Sequence, residues 1–538
     1  MVNFSFKRQS EAPTLALAAG QLRLAAAGLA LVGMGVLWLA MRWGVGLYSD
    51  SIVYLGTARV ILEGDGVSFL NDAGIIAPVV QYPPLYPATM AVFGWFGLDP
   101  LDGARWFSVM CYGANALLVA YITYNVTSSS VASLLASLLA LSAFPMVYIH
   151  SQALTEPMFI FMIFFGFCFL ALYLRDSRPV MFYACVLSVG LSCLARYVGI
   201  AFILTGGMAI LCLSNSSWQK RLTDAVKFSF LSSLPLAFWV LRNFILARNP
   251  VNRTFSFHPP SLQDFLPATE TIAHWFIPIT IVEIFPWLAP VTTMVAFIVL
   301  GWLFREAECL RSERSRLLLY CVFGYASFLL VSWTFNDQPL ELDTRTFALP
   351  YVALMILTIC AATERLRRSR YHENLFWRFS VHCLLILILA VQTVNGVVWL
   401  RYSYWNGIGF TIEQWRNSEL LTFVKNATTP LLIFSNAPDF IHTLTGKRAF
   451  LIPPKLLRST QKANPRYVEE TAAMGEELTR NNAVLIYFND ENRLWYLPSI
   501  KELQSNLPLR VVKRATDGAI YRLNGHGTAF ERLYHSSR

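Results

Sequence analysis

Between residues 24 and 399 the chain alternates apolar stretches of bilayer length with short basic connections, and no other feature constrains its fold as strongly. The stretches run near 24–47, 104–125, 131–149, 157–174, 179–195, 198–213, 228–246, 276–304, 317–334, 346–363 and 379–399. The hydrocarbon core of a membrane takes about 20 residues of helix, so each window is a candidate span. Composition agrees: 55% of the 538 residues are hydrophobic and only 14% charged, with a mean hydropathy of +0.47. These values exclude an ordinary soluble enzyme. The fold class expected is an α-helical polytopic membrane protein with about eleven transmembrane helices.

The net charge of +10 would suggest nucleic acid in a soluble domain. Here the basic residues fall between spans, so no nucleic-acid partner is expected. With the N-terminus cytoplasmic, the inside connections hold Lys7, Arg8, Arg23, Arg175, Arg178, Lys220, Arg221 and Lys227, then a run of arginines from Arg305 to Arg378. The outside ones hold only Arg59, Arg196, Arg248, Arg253 and Arg345. That bias sets the orientation, and an odd span count puts the C-terminus outside. The first apolar run is too long for a signal peptide and reads as a retained span. The nine cysteines lie in spans or inside loops, which argues against a disulfide framework.

Two domains are expected: residues 1–399 in the membrane, with a long first outer loop at 48–103, and residues 400–538 as a small soluble α/β domain outside it. Within the loop, Ile52, Leu55, Arg59 and Leu62 recur at helical spacing, as in a helix lying flat at the interface. Gly64, Gly66, Asn71, Asp72 and Gly74 then break it, and Pro83, Pro84 and Pro87 stiffen the return. A very short outer loop carries His150 and Thr155-Glu156-Pro157; a third contains Asn252, His258 and Pro260. Beyond residue 400, Thr429–Asn436, Ala483–Phe488, Leu509–Val512 and Ala519–Leu523 read as strands, with helices near 411–426, 437–445 and 465–480.

The ionisable residues with chemical potential sit at the outer ends of spans. Asp50 follows the first span by a few residues, where a carboxylate meets both lipid-borne and water-borne groups. Capping the helix that follows is an equally open role for it. Glu156 opens the fourth span and suits either a second acidic site residue or a complement to the helix N-terminus. Arg196, Arg242 and Arg345 suit a phosphate clamp or simple anchoring at the headgroups. Tyr82 and Tyr86 flank a Pro-Pro corner, as shapers of the loop or as a face for stacking a sugar. His150, His258 and His274 are too scattered for a metal site by spacing, so no metal ligands are assigned.

In order and loop position, SDSIVYLGTARVILEGDG, YPPLYP, LTEPMF, ARYVG, LRN, DTRTFALPYV and SNAPDFIHTLTGKR resemble the GT-C superfamily of polyprenyl-phosphate-sugar glycosyltransferases. The likeness is to the bacterial branch near the protein O-mannosyltransferases and lipid A aminoarabinose transferases, and covers roughly residues 20–450. It implies a GT-C-like fold and transfer of a sugar from a polyprenyl-phosphate donor to a glycan, lipid or protein acceptor on the extracytoplasmic face of a bacterial membrane. Asp50 then corresponds to the catalytic aspartate and Glu156 to the second acidic residue; Arg242 and Arg345 correspond more loosely to lipid-phosphate contacts. Two departures leave donor and acceptor open: Tyr82 stands where the aminoarabinose transferases have a lysine, and Ser51 follows Asp50 where the O-mannosyltransferases pair aspartate with glutamate. The sequence requires no cofactor and leaves a divalent metal open. A flippase for a lipid-linked saccharide and a non-catalytic membrane subunit are the competing readings. Transporters more often show two similar halves and mid-membrane polar residues, and this sequence shows neither.

Overall fold

A computed structural model describes residues 19–70, 75–251, 257, 259, 261–305, 307–335, 342–371, 375–427, 430–456, 462–480, 483–489 and 495–523. Lys7, Arg8, Asn71, Asp72, Gly74, Asn252, Arg253, His258, Pro260 and Thr429, all used in the sequence reading, lie outside these residues.

The chain opens with α1 (Ala19–Ala40) and α2 (Ser49–Glu63), a hairpin of β1 (Ser68–Leu70) and β2 (Ile76–Pro78), and α3 (Leu85–Trp95). Then come α4 (Pro100–Thr127), α5 (Ser130–Ser142), α6 (Phe144–His150), α7 (Glu156–Asp176), α8 (Pro179–Ala195), α9 (Ile200–Leu213) and α10 (Trp218–Ala247). Next are α11 (Leu266–Ala273), α12 (Ile279–Ile284), α13 (Leu288–Phe304), α14 (Glu313–Phe335), α15 (Thr344–Tyr371) and α16 (Leu375–Asn406). The remainder comprises α17 (Glu413–Arg416), α18 (Glu419–Asn426), β3 (Leu432–Ser435), α19 (Pro438–Thr445), β4 (Phe450–Leu451), α20 (Tyr467–Leu478), β5 (Ala483–Phe488), α21 (Ile500–Asn506), β6 (Leu509–Ala515) and β7 (Gly518–Leu523).

The chain forms two compact units. One comprises Met1–Arg42, Trp106–Leu241 and Asn252–Trp405; the other comprises Trp43–Arg105, Arg242–Val251 and Asn406–Arg538. Among the described residues seven helices are long and apolar enough to cross a membrane, and the bent pair α5–α6 makes up to eight. Three shorter apolar helices cover 179–195, 197–213 and 288–304. The protein is thus a multi-pass integral membrane protein.

In the helical unit, exposed side chains such as Leu31, Val32, Phe230, Phe238 and Ile298 are apolar, as expected where the solvent is lipid. Two expected windows are broken rather than continuous. The window at 131–149 bends by 54° between α5 and α6, where Pro145 stands in the first turn of the new helix. The window at 276–304 splits at Phe285-Pro286 between α12 and α13. At the first break α16 runs so close that a Cβ on Gly396 would lie 2.0 Å from the Ser142 carbonyl oxygen. The nine cysteines are all free thiols.

The second unit is built on a five-stranded sheet of order β4-β3-β5-β7-β6. Strand β3 is parallel to β4 and β5, while β7 is antiparallel to β5 and β6. All six residues of β5, AVLIYF, are buried; an unbroken apolar run suits a strand covered on both faces. The helix expected to lie flat after residue 48 exists as α2 but is packed, with Ser51, Ile52, Tyr54, Leu55, Gly56, Thr57, Ala58 and Val60 buried. Ile52 shares a core with Phe440, Ile441, Val484, Ile486, Phe488 and Ile520. Burying such a side chain contributes roughly 1.5–3 kcal/mol. The Thr443 hydroxyl donates to the Ile52 carbonyl at 3.3 Å, and Arg59 Nε donates to the Thr443 carbonyl at 3.1 Å. Leu47 bridges to Gly409, whose φ of +58° and lack of a Cβ that would meet the Leu47 carbonyl at 1.9 Å both require glycine.

Candidate active site

The candidate residues divide between the two units and are described within each. In the sheet-containing unit, Asp50 stands in the first turn of α2 and is half-buried. The Ser51 hydroxyl accepts from the Tyr48 N–H at 3.2 Å at the start of the helix. The Asp50 carboxylate accepts the Tyr82 hydroxyl at 2.7 Å. Tyr82 lies edge-on to Tyr54, with ring centroids 5.0 Å apart, and Tyr54 in turn meets Tyr86 at 5.5 Å. The Pro83-Pro84 corner therefore delivers two rings onto α2, and the first aims its hydroxyl at Asp50.

Arg242 belongs to the same unit and is tied to the β1–β2 hairpin. Its Nη1 donates to the Val79 carbonyl at 2.9 Å and its Nη2 to the Val67 carbonyl at 2.7 Å. A third bond runs from Nη1 to Asn243 Oδ1 at 3.0 Å. The Val79 N–H donates to the Val67 carbonyl, so the guanidinium closes the open end of a hairpin whose two strands have only three residues each.

In the helical unit, Glu156 is the first residue of α7 and is 3% exposed. Arg196 Nη1 and Arg345 Nε both pair with its Oε1, the latter at 3.0 Å. Arg196 Nη1 also donates to the Thr155 hydroxyl at 3.2 Å. The two arginine side chains keep 26% and 22% of their surface. Burying a carboxylate is costly without a partner, and this one has two cations. The three side chains sum to one positive charge.

Sequence reasoning passed over Asp343, Tyr148 and Asn115 near this group, and weighed His150 only as a metal ligand. Asp343 Oδ1 accepts the Thr346 N–H at 2.9 Å and so caps α15, setting the turn that carries Arg345. An Asp two residues before an arginine at the mouth of an apolar helix is an N-cap signal that could have been read. Tyr148 feels the charges of Asp343, Arg345 and Glu156. His150 is fully buried; its Nδ1 lies 2.7 Å from the Met146 carbonyl and its Nε2 3.0 Å from Asn115 Nδ2. Asn115 also donates to the Pro157 carbonyl at 3.0 Å, bracing the start of α7. Among the described residues, no three His, Cys, Asp or Glu side chains gather where they would hold a metal ion.

Solved structures share this architecture. ArnT of Cupriavidus metallidurans in the apo state matches with a TM-score of 0.58 at 10% identity, over 92% of this chain and 96% of that one. ArnT of the same organism bound to undecaprenyl phosphate matches at 0.58 and 11%, over 94% and 98%. The apo oligosaccharyltransferase of Archaeoglobus fulgidus matches at 0.53 and 10%, over 94% and 74%. These are GT-C glycosyltransferases, and the chain has the GT-C fold with a small sheet domain towards its C-terminus. Residues 73–300 match the family described as dolichyl-phosphate-mannose-protein mannosyltransferase. No curated protein sequence matches the chain.

Proposed function

We propose that this protein is an integral-membrane glycosyltransferase that moves a sugar from a polyprenyl-phosphate-linked donor to an acceptor on the extracytoplasmic face, with Asp50 as general base. The observation that carries the reading is the group of Glu156, Arg196 and Arg345: one buried carboxylate holding two partly exposed guanidinium groups at the start of an apolar helix. Guanidinium binds phosphate through paired N–H donors, and Glu156 holds both arginines ready for it. The fold shared with ArnT, a protein solved bound to undecaprenyl phosphate, supports the same donor class.

In the proposed reaction the Asp50 carboxylate takes the proton of the acceptor's hydroxyl or amine as that atom bonds to the anomeric carbon. The bond from that carbon to the phosphate oxygen breaks, and the electron pair leaves with the carrier phosphate. One displacement inverts the anomeric centre. Tyr82 orients Asp50 by its hydrogen bond, Arg196 and Arg345 bind the donor phosphate, and Arg242 holds the β1–β2 hairpin. The N-terminus and the arginine-rich loops are assigned to the cytoplasm, residues 1–399 to the catalytic membrane portion and residues 400–538 to the outside.

The test is reconstitution of the full chain in vesicles with polyprenyl-phosphate sugars, with and without a chelator. Sugar transfer by the wild type that is lost in Asp50→Asn supports the reading. Movement of the lipid-linked saccharide across the bilayer without transfer would replace it with the flippase. For orientation, a cysteine in place of exposed Glu476 should react with a membrane-impermeant thiol reagent in a cysteine-free background. One in place of exposed Arg311 should not, and the reverse result inverts the topology.

A further inference from the structure

Helix α7 lines a cleft far from Glu156. Phe164, Phe167 and Ala171 on α7, Leu318 on α14 and Tyr121 and Ile122 on α4 line a half-open apolar hollow. Leu172, another lining residue, is 16 residues beyond Glu156, about 24 Å along the helix at 1.5 Å per residue. Asn125 and Arg314 also line the cleft. Arg314 Nη1 donates to the Asn125 carbonyl, one of the last four of α4, which have no partner within the helix. Among the described residues no carboxylate is paired with Arg314. Glu313 is its neighbour in sequence, and Asp176 near the end of α7 is already paired with Arg175. Arg311 and Arg316 add positive charge on either side.

An apolar hollow lined by membrane-crossing helices, with a cation fixed at one end that pairs with no carboxylate among the described residues, has the charge and polarity pattern of a phospholipid. We infer that this cleft binds an anionic membrane phospholipid, with an acyl chain against Phe164, Phe167 and Leu318 and its phosphate on Arg314. A snorkelling arginine that merely reached the headgroups would not need a cavity beside it. The carbonyl bond fixes the guanidinium in place, and a preset donor loses less freedom when it takes a phosphate. Juxtamembrane basic groups favour anionic lipid on electrostatic grounds as well. This inference stands apart from the reaction proposed above.

Native mass spectrometry of the full-length protein in detergent, titrated with dioleoyl phosphatidylglycerol or dioleoyl phosphatidylcholine, tests it. The wild type should bind the anionic lipid at least about tenfold more tightly, as a charged hydrogen bond implies. Arg314→Gln should abolish that preference and Arg314→Lys should restore part of it. Ala171→Phe, which fills the hollow and leaves the arginine alone, should weaken both lipids. The inference is overturned if the wild type shows no headgroup preference, or if Ala171→Phe binds phosphatidylglycerol as the wild type does. It is also overturned if Ala171→Phe displaces undecaprenyl phosphate while leaving phosphatidylglycerol in place, for then the cleft belongs to the carrier.

Discussion

Two carboxylates, one in each unit, are held in opposite ways. Glu156 is sealed from solvent and clasped by two guanidinium groups, whereas Asp50 is half-buried and receives the hydroxyl of a half-buried tyrosine. A carboxylate locked between two cations is a poor proton acceptor, because protonation would strand both. One that can be reached, and is oriented by a phenol, can accept a proton from an incoming acceptor. In the proposed reaction, burial separates the carboxylate assigned to positioning from the one assigned to proton transfer.

The sharpest way to break this contrast is to neutralise each acid in turn. Asp50→Asn should leave the protein folded and donor binding unchanged, while turnover falls by about 10² to 10⁴, the usual loss of a general base. Glu156→Gln should show the reverse emphasis: a lower melting temperature, from a loss of roughly 3 kcal/mol when a buried pair loses one partner, with a smaller fall in turnover per folded molecule. If the two variants exchange these behaviours, the roles assigned to the acids are exchanged too.

A step down in size, Arg345→Gln should weaken binding of the donor lipid by about tenfold to a hundredfold, the worth of a charge-assisted hydrogen bond. Unchanged binding in a dissociation-constant measurement would make that arginine only the counter-ion of Glu156. Tyr82→Phe removes one hydrogen bond from Asp50 and should lower kcat by about tenfold or less, with donor affinity unchanged. A change in affinity alone would instead put Tyr82 against the sugar.

The smallest effect is in the sheet-containing unit. His442 is 1% exposed, with its Nε2 3.6 Å from Glu63 Oε1, and burial holds its pKa below the ordinary 6.5 although Glu63 pulls the other way. A group depressed in the fold takes up its proton more readily when unfolded, so its contribution is intact above pH 6.5 and declines as the pH falls below it. Melting of the full chain should therefore drop between pH 7 and pH 5.5, and His442→Gln should flatten that slope. An unchanged slope would remove His442 from the account.

Hydropathy made the membrane helices legible, because the bilayer demands a fixed length of apolar residues from each. It did not reveal the break between α5 and α6, since Ala143, Phe144 and Pro145 are as apolar as their neighbours. Periodicity found α2 but not its surroundings. Ile52 and Leu55 lie on a helix that reads as interfacial until Phe440 and Thr443 arrive from a distant part of the chain. The candidate acids and arginines stood out as charges at the edges of apolar runs. That Arg196 and Arg345 share one oxygen of Glu156 is a tertiary fact, and so is the attachment of Arg242 to a hairpin too short to carry a strand pattern.

The shared core of Ile52 and Phe440 also sets a schedule for synthesis. Helix α2 emerges early, and the residues that cover it are made almost 400 positions later. At about 5–20 residues per second, the ribosome leaves it without that cover for roughly 20 to 80 s. For that interval the first outer loop must be kept from aggregating by the membrane surface, by a chaperone, or by its own contacts with α3. Release of the chain shortly after residue 405 would make the exposure permanent.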